Sequence, residues 1–348
     1  KQKARRKMRE MDYLVTGTEM RAYDTYTIEK IGIPAMVLME RAALAVRERV
    51  MERLLQNEND KDSVVLCVCG TGNNGGDGLC LARLLADEGV RVRVVLIGNR
   101  ARLTPESAAQ YAILQAYGIS VEEQIPKDAF AVAVDALLGT GLSREVTGGY
   151  REAVESLNRM EAYKVAVDIP SGVDGATGQV LGDAVHARET VAFHRAKHGL
   201  LLYPGRAYAG KLTVADIGIL PEWDGAQGID VLEEADACAL LPVRPADGHK
   251  GTFGHVLSVA GSEGMAGAAA LCARSALRAG AGLVTAACPF AALGTVQAQA
   301  LCATAKVVAD GAALDAGAAD VLAELAKGKA ALAIGPGLGR EEGAWLAI

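Results

Sequence analysis

The chain has 348 residues, 51% hydrophobic but only 4% aromatic, and a formal net charge of −6. That length exceeds one ordinary core and predicts two domains, while the acidic balance excludes a dedicated nucleic-acid binder, which needs a basic surface to neutralise phosphates. The seven cysteines sit in apolar runs without paired CxxC spacing, which excludes a disulfide framework and reads as reduced core residues.

In chain order, Lys1-Gln2-Lys3-Ala4-Arg5-Arg6-Lys7 reads as a solvated basic tail, since nothing aromatic is interleaved. Helical patterns cover about 18–31, with Thr18 as a partial N-cap, and 35–55 after Pro34. A polar turn at 57–60 precedes Val64-Val65-Leu66-Cys67-Val68-Cys69, an apolar run suited to a strand buried on both faces of a parallel sheet. The glycine-rich stretch 70–78 follows, and a helix is expected from Leu79. A strand at 91–97 and a helix opened by Thr104-Pro105-Glu106 come next. The strand at 131–134 ends on Asp135 and leads into Gly139-Thr140-Gly141-Leu142-Ser143-Arg144-Glu145. After a helix at 149–160, the strand at 164–167 ends on Asp168 and leads into Pro170-Ser171-Gly172-Val173-Asp174-Gly175. Short strands at 189–193 and 212–215 complete a β–α alternation, with Lys197 beyond the first of them expected to face solvent.

The periodic signal fades between 220 and 254, where proline and glycine punctuate a linker. It restarts with a strand at 255–260, a loop at 261–267, a helix at 268–279 and a strand at 283–287. An alanine-rich helical stretch at 311–328 and a strand at 331–334 end in Gly335-Pro336-Gly337-Leu338-Gly339. Three strands with exposed edges are expected of this second α/β unit. No signal peptide and no apolar run of about 18 residues is evident, which predicts a cytoplasmic chain without a membrane span.

Three strands therefore end in polar, glycine-rich loops, and ligands bind beyond the carboxyl ends of parallel strands. That order of elements groups Asn74, Asp77, Asp135 and Asp168 around one crevice. The stretch Gly70-x-Gly72-x-x-Gly75 matches the dinucleotide fingerprint, but Gly98-Asn99-Arg100 offers no carboxylate for a ribose. No lysine and hydroxyl follow the glycines, so a nucleoside-triphosphate P-loop is excluded. Plainer readings stand beside these: turn formation for Asn73 and Asn74, helix capping for Asp77, an ion pair or cap for Asp135 and Asp168. A pair of carboxylates with an amide and the Ser171 hydroxyl is an oxygen-only set suited to a hard, weakly charged cation.

Together, Gly72-Asn73-Asn74-Gly75-Gly76-Asp77-Gly78 and the segments opening at Asp135 and Asp168 resemble the NAD(P)H-hydrate epimerase domain. Lys250-Gly251-x-Phe253-Gly254-His255, the 261–268 loop, 278–284 and Gly335-Pro336-Gly337-Leu338-Gly339 resemble the start of the ADP-dependent NAD(P)H-hydrate dehydratase. The resemblance implies a Rossmann-like three-layer parallel-sheet domain over 1–225 and an incomplete ribokinase-like α/β domain over 226–348. It implies a substrate, NADH or NADPH hydrated on the nicotinamide ring, and a metabolite-repair function. It assigns Asn73, Asn74, Gly75, Gly76 and Asp77, with Gly139, Thr140, Gly141, Leu142, Ser143, Arg144 and Glu145, to dinucleotide binding. Asn74, Asp135 and Ser171 match potassium ligands, and Asp168 matches the residue at the ring and is the expected catalytic group. Ala268 and Gly337 fall at substrate-binding positions of the second domain, whose complete form uses ADP or ATP with Mg2+. The sequence ends before that family's later Gly-Thr-Gly-Asp motif, which sets the expectation of no dehydratase activity and poor ADP binding. A homodimer is expected from the resemblance and from the broad apolar side of the N-terminal helices. Two rival readings stay open: an NAD(P)-dependent oxidoreductase and a non-catalytic nucleotide-binding scaffold.

Overall fold

The computed structural model describes residues 13–56, 63–220 and 229–348, which fall into two compact units, the first running to Cys238 and the second from Ala239 to Ile348. The basic tail, the turn at 57–60 and the expected boundary at 225/226 lie outside the described residues.

The first unit holds β1 (Tyr13–Leu14), α1 (Gly17–Tyr26), α2 (Ala35–Leu55), β2 (Val64–Cys69), α3 (Asn73–Asp87), β3 (Arg91–Leu96), α4 (Pro105–Ala116) and β4 (Val121–Glu122). It continues with β5 (Val132–Ala136), α5 (Gly148–Arg159), β6 (Tyr163–Val167), β7 (Glu189–Phe193), α6 (Arg206–Ala209), β8 (Lys211–Ala215) and β9 (Ile229–Asp230). Helix α7 (Glu234–Leu240) spans the boundary. Strand β9 pairs antiparallel with β1, so the first unit reaches past 225.

Seven parallel strands run in the order β4-β3-β2-β5-β6-β7-β8. The period of two along β2 explains its all-apolar sequence. Val65, Cys67 and Cys69 pack into the core shared with α2, α3 and α4, while Leu66 and Val68 pack into the core shared with α5. The chain steps outward from β2 to β4 and then returns to β5 on the other side of β2. That reversal opens a crevice at the carboxyl ends of β2 and β5.

Two local expectations are corrected. Helix α1 is capped by Thr16, not Thr18: Glu19 N–H donates to Thr16 Oγ1 (3.2 Å) and Glu19 Oε2 accepts from Thr16 N–H (2.7 Å), a reciprocal box. Thr18 lies inside the first turn, three residues before Arg21, which has no carboxylate to complete such a box. Helix α3 begins at Asn73 rather than Leu79, inside the glycine stretch. Its first turn lies so close to the β2–α3 turn that a Cβ at Gly75 would stand 1.8 Å from the Gly70 carbonyl oxygen.

The second unit holds β10 (His255–Val259), α8 (Ala266–Arg278), β11 (Leu283–Pro289), α9 (Phe290–Gln299), β12 (Thr304–Ala309), α10 (Ala319–Ala326), β13 (Ala331–Ile334) and α11 (Glu342–Leu346). Its parallel sheet runs β12-β11-β10-β13, four strands where three were expected. The extra strand, β12, lies at the sheet edge and is largely exposed, so it lacks an apolar run. The cysteine expectation is corrected in part: all seven are free, but Cys238 and Cys302 are exposed and Cys272 is half-buried. Among the described residues no helix is long and apolar enough to cross a membrane.

Candidate active site

A cavity of about 790 Å³ occupies the crevice where the strand order reverses in the first unit. Its base is the start of α3. Gly72 is the N-cap, and the Gly76 N–H donates to the Gly72 carbonyl (3.1 Å). The amides of Asn73, Asn74 and Gly75 precede the first intrahelical bond and are free to meet an anion. Gly75 and Gly76 are buried and do not line the cavity; a Cβ at Gly76 would meet Met39 Cε at 2.5 Å and Ser107 Oγ at 2.6 Å. Their contribution is the close packing that lets the turn present its backbone.

The loop after β5 forms a second wall. All seven residues from Gly139 to Glu145 line the cavity, with a turn closed by Leu142 N–H donating to the Gly139 carbonyl (3.2 Å). The start of α1 packs on this loop, since a Cβ at Gly17 would lie 2.7 Å from the Thr140 oxygen. Helix α1 thereby contributes Met20, Arg21 and Asp24 to a third wall.

Asp168, one residue past β6, holds a left-handed backbone (φ 65°). Such a conformation costs a non-glycine residue on the order of 1–3 kcal/mol, and aspartate tolerates it better than most. Three bonds fix it: its N–H donates to Val191 O (2.8 Å), and its Oδ1 accepts from Phe193 N–H (3.0 Å) and from the Lys197 ammonium. Lys197 is wholly buried, not solvent-facing as its sequence context suggested, and it also donates to Phe193 O (3.1 Å). A buried ammonium is tolerated because a carboxylate and a carbonyl compensate it.

Asp135 lies at the end of β5, wholly buried beneath the cavity rather than on its wall. It accepts from Ser171 N–H (2.8 Å), Ser171 Oγ (2.6 Å) and Leu137 N–H (3.2 Å). Burial pushes its carboxyl up to about 6, against the pull of those three bonds. The Ser171 hydroxyl in turn accepts from Leu138 N–H (2.9 Å), tying the β5 and β6 loops together. The Asn74 amide lies against Gly139, and its Nδ2 is buried without a hydrogen-bond partner among the described residues.

Two further aspartates reach the cavity. Asp77 is on the second turn of α3 and Asp24 on α1. Burial, reinforced by the charges of Asp168 and Asp24, pushes Asp77 well above the ordinary carboxylate range against the pull of Lys197. Burial likewise raises Asp24 to about 6, with Lys197 lowering and Asp168 raising it. Sequence reasoning missed Asp24, because nothing local ties α1 to the glycine loop. It also missed Tyr150, whose hydroxyl lies 3.4 Å from Thr71 N on the same wall. Arg100, considered for a 2′-phosphate, instead stacks over Tyr111 at 4.2 Å.

The second unit repeats the topology. Its strand order reverses between β10 and β13, and there the Gly337 backbone (φ 70°) meets the start of α8. A Cβ at Gly337 would stand 2.8 Å from Ala268 Cβ, and Ser262 Oγ donates to the Gly337 carbonyl (2.8 Å). The structure thus brings Ala268 and Gly337 together.

Residues 35–199 match the family model of the YjeF-related protein N-terminus, and residues 256–348 match that of NAD(P)H-hydrate dehydratase. The NAD(P)H-hydrate epimerase of Oenococcus oeni is 43% identical over 206 residues, 59% of this chain and 96% of the relative. The bifunctional NAD(P)H-hydrate repair enzyme Nnr of Moorella thermoacetica is 37% identical over 343 residues, 94% of this chain and 64% of the relative. The chain therefore spans about 64% of the length of that bifunctional relative. A yeast crystal structure shares the fold with a TM-score of 0.51 at 21% identity, over 63% of this chain and 99% of that one.

Proposed function

The chain belongs to the NAD(P)H-hydrate epimerase family and carries a dehydratase-family unit after it, and from that premise we propose that the first unit interconverts the R and S forms of hydrated NADH and NADPH. The observation that carries this reading is Asp168 beside Lys197, at one edge of a cavity whose base is the free amide end of α3. The amides of Asn73 to Gly75 and the 139–145 loop suit the pyrophosphate and ribose. The hydrated ring carbon bears both a nitrogen and a hydroxyl, so its configuration is lost when the hydroxyl departs and the nitrogen lone pair forms an iminium. An ionised Asp168 beside the ring stabilises that positive charge. Lys197 positions it by holding one carboxylate oxygen, leaving the other toward the cavity.

Asn74, Asp135 and Ser171 fit a potassium ion. Their donor set is oxygen-rich with one carboxylate, and the unpartnered Asn74 Nδ2 would be relieved if the amide turned over, so that its oxygen faced a cation in place of the nitrogen. Such an ion, when bound, would supply positive charge against the buried Asp135 carboxylate. In the second unit, Ala268 and Gly337 are the proposed substrate contacts.

The test is chiral chromatography of purified R-hydrate incubated with the protein at varied potassium. Conversion toward the equilibrium mixture, faster with potassium, supports the reading; an unchanged R-hydrate peak at every potassium concentration refutes it.

A further inference from the structure

Three aspartates, Asp24, Asp77 and Asp168, line one cavity together with the buried ammonium of Lys197. They come from separate elements: α1, α3, the end of β6 and the loop after β7. The ammonium is committed, through its hydrogen bond, to Asp168. Neither Asp24 nor Asp77 makes a side-chain hydrogen bond to protein among the described residues, although both line the cavity. Their bonding capacity is therefore turned to whatever fills the cavity. A desolvated carboxyl without a partner is costly to keep ionised.

Resting on the epimerase reading above, we propose that Asp77 is the acid that protonates the departing ring hydroxyl, with Asp24 as the positioning residue that keeps the proton on it. The electron balance is complete without a further reagent. The carbon–oxygen bond breaks with its pair on oxygen, the Asp77 proton makes that oxygen water, and the ring nitrogen lone pair forms the C=N bond. Water then adds to the carbon from the other face, and the proton it sheds returns through cavity water to the Asp77 carboxylate. Asp168 stays paired with Lys197 and faces the cation. Asp168 is paired with the Lys197 ammonium, whereas Asp77 has two aspartate neighbours and no hydrogen-bonded cation among the described residues.

The groups that bear on Asp77 are Asp24, Asp168 and Lys197 along the cavity, with the Cys69 thiol at the end of β2. The other charged side chains on the wall are Arg21, Glu106, Arg144 and Glu145. The directions agree: burial and both aspartates push Asp77 upward, and only Lys197 opposes them.

The experiment uses the full chain with R-hydrate of NADH and compares wild type with Asp77→Asn, Asp77→Glu and Asp24→Asn. Turnover is followed from pH 5 to 10, hydrate affinity by calorimetry, and folding by thermal melts. Asp77→Asn is expected to lose at least about 100-fold in kcat while hydrate affinity stays within about threefold, and Asp77→Glu is expected to recover part of the loss. Asp24→Asn removes one negative neighbour, so the alkaline limb of kcat should move to lower pH. Asp77→Asn turning over within threefold of wild type overturns the proposal. So does a loss of affinity as large as the loss of kcat, or an alkaline limb that Asp24→Asn leaves in place. Should Asp77→Asn not fold, Asp77→Glu and the Asp24→Asn limb decide alone. Wild type that does not epimerise overturns the epimerase reading itself, whereas an active Asp77→Asn beside an active wild type overturns this assignment only.

Discussion

The two units share a topological device and use it differently. Each has a parallel sheet whose strand order reverses, between β2 and β5 in the first and between β10 and β13 in the second, and each brings a helix start and a glycine loop to that reversal. At the first reversal the cavity carries aspartates and a buried lysine. At the second, the contacts are a glycine backbone on an alanine methyl and a serine hydroxyl on a carbonyl. Topology decides where a ligand sits, and the charges brought there decide whether a bond changes. On the reading proposed above, the first reversal carries the charges for chemistry on a cation, whereas the second presents a close glycine backbone and a hydroxyl.

The comparison is broken most sharply at Asp168. Asparagine keeps the side-chain shape and tolerates the left-handed backbone at this position; it leaves the buried Lys197 ammonium without its counter-charge, so the melting temperature drops, but the fold should survive Asp168→Asn. The negative charge does not. Epimerisation should fall on the order of 10³-fold, read as the rate of R-to-S conversion by chiral chromatography with melting curves as the control. Unchanged turnover removes Asp168 from the chemistry.

Lys197→Met tests the other half of the pair. It leaves the buried Asp168 carboxyl with only the Phe193 amide to compensate it. Breaking such a pair costs about 3 kcal/mol at the lower end of the usual range, which lowers Tm by roughly 6–12 °C for a unit of this size. Turnover should fall with it, by about tenfold or more, since the carboxylate loses its anchor. A melt at the wild-type temperature would show that the pair contributes nothing to the fold.

What the sequence disclosed follows from these same forces. Strands β2, β5 and β6 were legible because burial on both faces writes a continuous apolar run, and the loops after them because turns and anion cradles demand glycine and asparagine. The two parallel units and the convergence of Asn74 and Asp168 on one cavity followed from element order alone. Lys197 was not legible: its partner is 29 residues away, and no local signal separates a paired lysine from a solvated one. Asp24 joins the cavity only because α1 packs on the 139–145 loop, a tertiary contact through Gly17 and Thr140. Strand β12 hid because an exposed edge strand has no core face to advertise.

A smaller effect separates the two reversals by pH. Asp24 titrates at about 6 when folded, above its ordinary value of 3.8. The folded state therefore holds this proton more tightly, so the group's stabilising contribution is complete below about 3.8 and is lost as pH rises through about 6. A two-unit shift corresponds to about 3 kcal/mol at most, and cavity water screens it to on the order of 1–2 kcal/mol. Asp24→Asn should melt like wild type near pH 3.5 and several degrees above it at pH 8. Equal melting temperatures at both values would show that Asp24 is well solvated in the fold.

The smallest expected effect on epimerisation is none, and it comes from the second reversal. Alanine at Gly337 must take a left-handed backbone (φ 70°) and place a methyl 2.9 Å from Met265 O and 2.8 Å from Ala268 Cβ. The strain, on the order of 1–3 kcal/mol, falls on the packing between the 335–339 loop and α8, all of it within the second unit. Gly337→Ala should thus lower the melting of the second unit while R-to-S conversion stays within about twofold of wild type. If conversion instead drops tenfold with the first unit still folded, epimerisation does not belong to the first unit alone and the division of labour between the two reversals is overturned.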